Sequence, residues 1–433
     1  MVTARLAELA GRIDERRCVI GVIGLGYVGL PVACSFARAG FSVVGVDIDS
    51  ERVDLINRGI SPVGGEEAEL AALMPEMVRA DSLVASDRYE ALRAADLITI
   101  NVQTPVDDEN QPDHRALESA VESLAAVIRP GALVIVESTV PPGTTMGLVR
   151  TRLEKASGLG EGTDFFLGAC PERVMPGRLL SNIANVPRVC GGSSPEVAET
   201  MRRLYRTVVQ AEIDVASATT AELVKVVENA YRDTQIAFAN EVALLCSDLC
   251  EDVWEVRDLV NKVPFRQMHR PGGGVGGHCI PKDPWLLAAG SSRSLDLIPA
   301  ARAVNDRMPL EVARLVADGS RALAANGLGA ESKRVLVLGY SYLPETDDIR
   351  NSPSVSLVAE LTRLGLMPTV HDPYVRDFQG DLATVAAGCG IAVIMVHHSA
   401  YSNLKLEVPL ILDAERLGEG RQSIDQLWAA NDA

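Results

Sequence analysis

Apolar residues fall into two rhythms along the chain. Near the start, residues 18–23 form a short apolar run, a glycine-rich turn follows, and residues 27–39 are helix-compatible up to Gly40. A second apolar run, 41–46, then ends in Asp47. Short continuous apolar runs flanking a helical stretch predict a βαβ unit whose parallel strands are buried on both faces. Two more runs, DLITINV at 96–102 and ALVIVE at 132–137, each leave a polar loop at the C-terminal end. These runs predict one doubly wound sheet, with ligands expected where its strands end. Ahead of them, MVTARLAELAGRIDERR predicts a short amphipathic helix.

The rhythm changes between about 219 and 259. No Gly or Pro occurs from Thr219 until Pro264, and Leu223, Val226, Val227, Ala230, Ile236, Phe238, Val242 and Leu245 recur at helical spacing. That predicts one or two long helices, whose apolar stripe serves either a dimer interface or an internal scaffold. A glycine-rich loop, PGGGVGGHC, comes next, then more helix through Asn326. RVLVL at 334–338, Gly339, a helix at 354–364 and a strand at 391–396 restart the α/β rhythm. The expected fold class is α/β: two Rossmann-like doubly wound domains joined by a central all-helical dimerisation region. The expected segments are 1–210, 211–320 and 321–433.

Bulk properties narrow the functions. A chain of 433 residues is too long for one ordinary core. A net charge of -17 excludes the basic footprint that nucleic-acid binding needs, while leaving room for a local basic pocket. No apolar run approaches the ~20 residues that span a bilayer. The N-terminal segment lacks the apolar core of a signal peptide. The eight cysteines are scattered without a CxxC pair, so neither a disulfide framework nor a zinc site is suggested. A reducing cytoplasm, with most thiols buried as small hydrophobes, is the expected setting.

Four motifs carry chemistry. Gly24-Leu25-Gly26-Tyr27-Val28-Gly29 lies between a strand and a helix. Its glycines would allow the tight turn, the approach of a pyrophosphate and close helix–sheet packing. Asp47 ends the second strand at the spacing of a carboxylate that binds the adenosine ribose hydroxyls, which favours NAD over NADP. Arg52 either faces the cofactor or is a surface charge. In Gly276-Gly277-His278-Cys279-Ile280-Pro281-Lys282-Asp283, a cysteine after flexible glycines and near a cation has the setting of an activated thiol. His278 is adjacent, but neighbouring side chains diverge, which argues against a Cys–His dyad. Lys225, Asn229 and Arg232 stand at i, i+4 and i+7 of a helix, a face suited to an oxyanion and a phosphate, or simply to solvent. Polar strand ends at Thr104, at Ser138-Thr139-Val140-Pro141-Pro142-Gly143 and at Cys170-Pro171-Glu172-Arg173-Val174 complete the set.

Taken together, GVIGLGYVGLP, PERVMPG, ELVKVVENAYRDTQIAFANEVALLC, VWEV, PGGGVGGHC and DDIRNSPS resemble the UDP-glucose/GDP-mannose dehydrogenase family, and most closely its UDP-N-acetylmannosamine dehydrogenase branch. The resemblance implies an NAD domain, a helical centre that dimerises, and a C-terminal domain for the nucleotide diphosphate. It implies that Cys279 attacks a C6 aldehyde after a first hydride transfer, giving a thiohemiacetal that a second NAD oxidises to a thioester for hydrolysis. Lys225 and Asn229 would hold the oxyanion, and Glu172, Asp283 and Thr139 would position water and move protons. With the glycines of the turn, Tyr27, Val28, Asp47, Arg52, Thr104, Thr139, Lys282 and Arg350 match cofactor positions. Arg173, Val174, Lys225, Asn229, Arg232 and Gly276 match sugar-nucleotide positions. There are departures. Counting from Cys279 puts Val263 and Phe265 where the branch has His and Arg, and Arg266 supplies the guanidinium if the loop is shifted by one residue. Leu343 stands for the lysine of an FKP-type motif, and Lys282 resembles the UDP-glucose branch. UDP-glucose and UDP-N-acetylglucosamine therefore stay open as substrates beside UDP-N-acetylmannosamine. Two rival classes, a non-catalytic sugar-nucleotide binder and a two-electron hydroxy-acid dehydrogenase, do not need the nucleophile, and the NADH yield per sugar separates them.

Overall fold

Alternate residues of short Val/Ile/Leu runs point to opposite faces of a sheet, so a run that is apolar throughout is stable only when both faces are covered. The computed structural model, which describes residues 2–63, 67–173, 177–402 and 406–415, meets that condition twice. The first eight strands are β1 Val19–Ile23, β2 Ser42–Val46, β3 Leu83–Ser86, β4 Leu97–Ile100, β5 Leu133–Val136, β6 Phe166–Ala169, β7 Arg188–Gly192 and β8 Ile213–Ser217. They form one sheet in the order β3-β2-β1-β4-β5-β6-β7-β8. Strands β1 to β6 are parallel; β7 runs antiparallel to β6, and β8 pairs parallel with β7. Ile20, Val22, Leu97, Leu133 and Ile135 pack into the core on one face, and Ile23, Ile98, Ile100, Val134 and Val136 into the core on the other. The expected N-terminal helix forms over Val2–Asp14 and buries Leu6, Leu9 and Ile13.

The second sheet repeats the plan with β9 Arg334–Leu338, β10 Met367–His371, β11 Ile391–Ile394 and β12 Leu410–Asp413. All four strands are parallel, in the order β10-β9-β11-β12. Val335 and Val337 bury on one face, Leu336 and Leu338 on the other. The central segment of the chain is all-helical, so the α/β class with two Rossmann-like sheets and a helical centre holds. The expected helix over 219–259 is two helices, Ala218–Leu249 and Val253–Asn261. The break falls at Cys250, whose φ of 58° leaves the helical region without any Gly or Pro to announce it. Asp252 then accepts from the Trp254 amide at 2.7 Å and caps the second helix.

The chain divides into two compact units: residues up to Glu228 together with Trp285–Arg293, and Asn229–Pro284 together with the residues from Ser294 onward. In the second unit a buried polar seam ties the long helix to the helix Leu297–Ala325. Arg302 donates to Asp233 at 2.6 Å, Asn305 to the same carboxylate at 2.8 Å, and Asn240 to Asn305 at 2.8 Å. Asn240 also accepts from the Gly272 amide at 2.9 Å, so the seam anchors the start of the glycine loop. Among the described residues no helix is long and apolar enough to cross a membrane.

Candidate active site

In the first unit the glycine turn sits between β1 and the helix Gly29–Arg38. Gly24 has φ 87°, and a Cβ on it would fall 2.8 Å from the Asn101 carbonyl oxygen. A Cβ on Gly29 would fall 1.8 Å from the Gly24 oxygen, so no side chain fits there. Gly26 differs, because a Cβ there would meet no protein atom within 4 Å. Its glycine is not demanded by protein packing, which fits close approach by a ligand. No side chain caps the helix at Val28, and its first turn carries no acid. Backbone N–H groups and the positive end of the helix dipole are thereby left for an anion such as a pyrophosphate. Asp47, buried at the end of β2, accepts from the Leu25 amide at 2.7 Å and from Arg52 at 3.0 Å. Arg52 is thus the partner of the candidate ribose carboxylate. The Tyr27 hydroxyl donates to Glu67, which also accepts from the Gly177 amide at 2.6 Å and so ties the turn to the loop after β6.

The other strand ends of this unit are pinned to one another. Thr104 is buried and its hydroxyl donates to the Thr139 carbonyl, joining the loops after β4 and β5. Ser138 donates to the Val102 carbonyl at 2.6 Å. From the long helix, buried Glu222 accepts from the amides of Gly143 at 2.6 Å and Thr145 at 2.7 Å. Burial raises its pKa, against the pull of those hydrogen bonds. Glu172 is buried after β6 and bound by Arg188, while Arg173 pairs with Glu228. Val174 lies outside the described residues. Lys225 is half-buried on the long helix.

In the second unit the thiol of Cys279 is exposed, and the loop before it is closely fitted. A Cβ on Gly276 would fall 2.5 Å from Cβ of Tyr342, and one on Gly277 would fall 2.7 Å from the Tyr342 ring. The Gly277 amide donates to the Arg350 carbonyl at 2.9 Å, and Asn351 donates to the Gly277 carbonyl at 3.0 Å. Beyond the thiol, Asp283 is 1% exposed. Its Oδ2 accepts from Asn229 at 2.5 Å, and its Oδ1, without a hydrogen bond among the described residues, faces the Lys282 ammonium at 3.6 Å. Cation, carboxylate and amide therefore form one set. His278 stands apart from it: burial, with Lys282 and Arg350 adding, pushes its pKa down to about 4. It is a neutral imidazole at neutral pH.

Other expected positions are less enclosed. Arg232 and Arg266 are exposed, and Arg350 is paired with Asp348 at 2.6 Å. Val263, Phe265 and Leu343 are exposed apolar residues. The sequence reading missed Glu222, Glu67, Arg188, Glu137 and Tyr205. A conspicuous signal was available for Glu137 alone, as a carboxyl ending an apolar strand.

The sheet order β3-β2-β1-β4-β5-β6, with the glycine turn at the end of its central strand β1, defines the class: an NAD-dependent dehydrogenase. Three parts of one family match in order: the NAD binding domain over residues 18–209, the central domain over 219–307 and the UDP binding domain over 336–419. The chain belongs to the UDP-glucose/GDP-mannose dehydrogenase family, the NAD-dependent nucleotide-sugar dehydrogenases. It is 41% identical over 388 residues, 90% of this chain and 91% of the relative, to a UDP-N-acetyl-D-mannosamine dehydrogenase of Pyrococcus horikoshii. Among solved structures, a UDP-D-ManNAc dehydrogenase from Pyrococcus horikoshii superposes with a TM-score of 0.85 at 39% identity, covering 92% of this chain and 96% of that one. An NDP-N-acetyl-D-galactosaminuronic acid dehydrogenase from Methanosarcina mazei Go1 gives 0.82 at 33% identity, covering 98% and 96%.

Proposed function

We propose that the chain oxidises the C6 alcohol of UDP-N-acetyl-D-mannosamine to UDP-N-acetyl-D-mannosaminuronate, a four-electron reaction, through covalent catalysis by Cys279. The observation that carries the chemistry is the exposed thiol in a loop fitted at Gly276 and Gly277, next to the Lys282–Asp283–Asn229 set. NAD, when bound, supplies the hydride acceptor for both oxidations. Gly24, Gly26, Tyr27, Val28, Gly29, Asp47, Arg52, Thr104, Thr139, Lys282 and Arg350 are the residues assigned to holding it.

The Cys279 thiolate adds to the C6 aldehyde and forms the C–S bond of a thiohemiacetal, so the aldehyde stays attached to the protein. Lys225 and Asn229 donate to the oxygen that gains charge. Once that carbon is oxidised to a thioester, water adds to its carbonyl, the C–S bond breaks and the thiol is restored. Glu172, Asp283 and Thr139 orient that water and accept its proton. Arg173, Val174, Lys225, Asn229, Arg232, Arg266 and Gly276 are assigned to the sugar nucleotide. Segments 1–210, 211–320 and 321–433 are read as the NAD, central and nucleotide-sugar domains. The exposed Leu223, Val227, Tyr231, Phe238, Leu245 and Leu249 recur along the long helix and support a homodimer through it. The cytoplasm, where thiols stay reduced, is the setting this reading requires.

The sugar is the point on which a second reading has support. Lys282 and the exposed Leu343 favour UDP-glucose or UDP-N-acetylglucosamine. NADH yield across a panel of UDP- and GDP-sugars tests both parts. Two NADH per UDP-N-acetylmannosamine are expected. One per sugar would sink the four-electron reaction, and turnover of UDP-glucose alone would overturn the choice of sugar.

A further inference from the structure

Behind Glu172, four side chains from different elements are buried together. Arg188 on β7 is 2% exposed, Glu172 after β6 6%, Glu137 after β5 2%, and Tyr205, which ends the helix Pro195–Tyr205, 1%. Arg188 Nη2 donates to Glu172 Oε2, and the other oxygen of Glu172 accepts the Arg173 amide at 2.9 Å. The Tyr205 hydroxyl donates to Glu137 Oε1, and the Arg188 guanidinium lies 5.0 Å from the Tyr205 ring centroid. Asn101 and the thiols of Cys170 and Cys190, 3.9 Å apart, complete the surroundings. Three atoms of this cluster are left without a hydrogen bond among the described residues: Nη1 of Arg188, Oε2 of Glu137 and Oδ1 of Asn101.

Two carboxyls and one guanidinium cannot all be charged without leaving a net charge in a dry interior. The guanidinium of Arg188 makes its carboxylate contact with Glu172 and not with Glu137. Glu137 is the carboxyl whose charge is the more disfavoured. Burial pushes its pKa up to about 7, with the charge of Glu172 adding to the push and Arg188 opposing it.

We infer that Arg188 is a positioning residue for Glu172: its buried guanidinium, bonded to Oε2, aims the carboxylate from behind. The inference rests on the reading of Glu172 as a group that moves protons. A purely structural ion pair would alter stability when broken. A positioning pair also moves the pH dependence of turnover, because a base loses activity as it is protonated.

The test is the pH profile of kcat/KM for the sugar nucleotide, measured on the full chain with Arg188→Met, Arg188→Lys, Glu137→Gln and Glu172→Gln. Loss of the adjacent positive charge in Arg188→Met should carry the acidic limb upward by about one pH unit or more. Arg188→Lys keeps a charge but not the fork, and should shift the limb less. Glu137→Gln should abolish an inflection near neutrality that the coupled pair otherwise contributes. Should Arg188→Met fail to fold, the Lys and Gln variants decide. A folded Arg188→Met with the wild-type profile, or Lys and Gln variants that both superimpose on it, would overturn the inference. Wild-type turnover by Glu172→Gln would instead remove the role of Glu172, and the inference with it.

Discussion

Replacing Asn229 by Leu is the most incisive single test of the set around the nucleophile. Asp283 is 1% exposed, and among the described residues its side chain accepts the 2.5 Å hydrogen bond from Asn229. Without that amide, the carboxylate keeps only the Lys282 ammonium at 3.6 Å, beyond hydrogen-bonding distance. A hydrogen bond to a charged group is worth about 1.5–3 kcal/mol, and an unmet buried acceptor costs a similar amount. At 1.36 kcal/mol per decade, this is roughly a ten- to hundredfold effect on any step that needs the ionised carboxylate in place. The expected result is a fall in kcat of that size. Urea unfolding should show a stability loss of about 1.5–3 kcal/mol. A double-mutant cycle with Asp283→Asn separates the bond from general damage, since residues in direct contact show coupling energies of about 0.5–3 kcal/mol. Coupling below about 0.5 kcal/mol in both kcat and stability would refute the reasoning.

Three further perturbations reach other parts of the molecule. Cys279→Ser should lose turnover by several orders of magnitude yet titrate NAD normally; near-normal NADH production would end the covalent mechanism. Asp47→Ser removes the carboxylate that holds Arg52 at 3.0 Å and leaves it only the Asp49 carboxylate at 3.5 Å among the described residues, so the NADP-to-NAD ratio of kcat/KM should rise about tenfold or more. An unchanged ratio would show that Asp47 serves only to hold the turn. His278, with its pKa lowered by burial to about 4 from an ordinary 6.5, favours the folded state when neutral. Its contribution is complete above the ordinary value and is lost as pH falls through about 4, up to roughly 3 kcal/mol. His278→Gln should therefore flatten the acid side of the stability curve between pH 6.5 and 4, as read by chemical unfolding at each pH, and identical curves would exclude that burial effect.

Local pattern made the fold legible where a strand is apolar throughout. β1, β2, β4, β5 and β9 all fall inside the runs expected from the sequence, because burial on both faces leaves no other reading of Val19–Ile23 or Arg334–Leu338. β7 and β8 escaped notice for the opposite reason. Arg188–Gly192 offers two glycines and an arginine, and its strand character comes from pairing with β6 and β8. Residue types at the site were legible, but their partners were not. Glu222 meets Gly143 from 79 residues away, and Asn229 meets Asp283 from 54. No spacing rule spans such distances. Asp47 shows the same limit, since its place at the end of a strand was readable and its grip on the Leu25 amide and Arg52 was not.

This difference between types and partners also explains why the reaction can be read more firmly than the sugar. Glu172, Asp283, Thr104 and Asp47 are buried and bound to other parts of their own unit. A substitution at any of them leaves a hydrogen-bond partner unmet and destabilises the fold. Arg232, Arg266 and Leu343 are exposed, so exchanging them leaves no core group unsatisfied. Surface exchanges of that kind usually change stability by no more than about 0.5 kcal/mol. The departures at Val263, Phe265 and Leu343 fall on exposed side chains, 52%, 96% and 42%, whereas Lys282, which resembles the UDP-glucose branch, is buried beside Asp283.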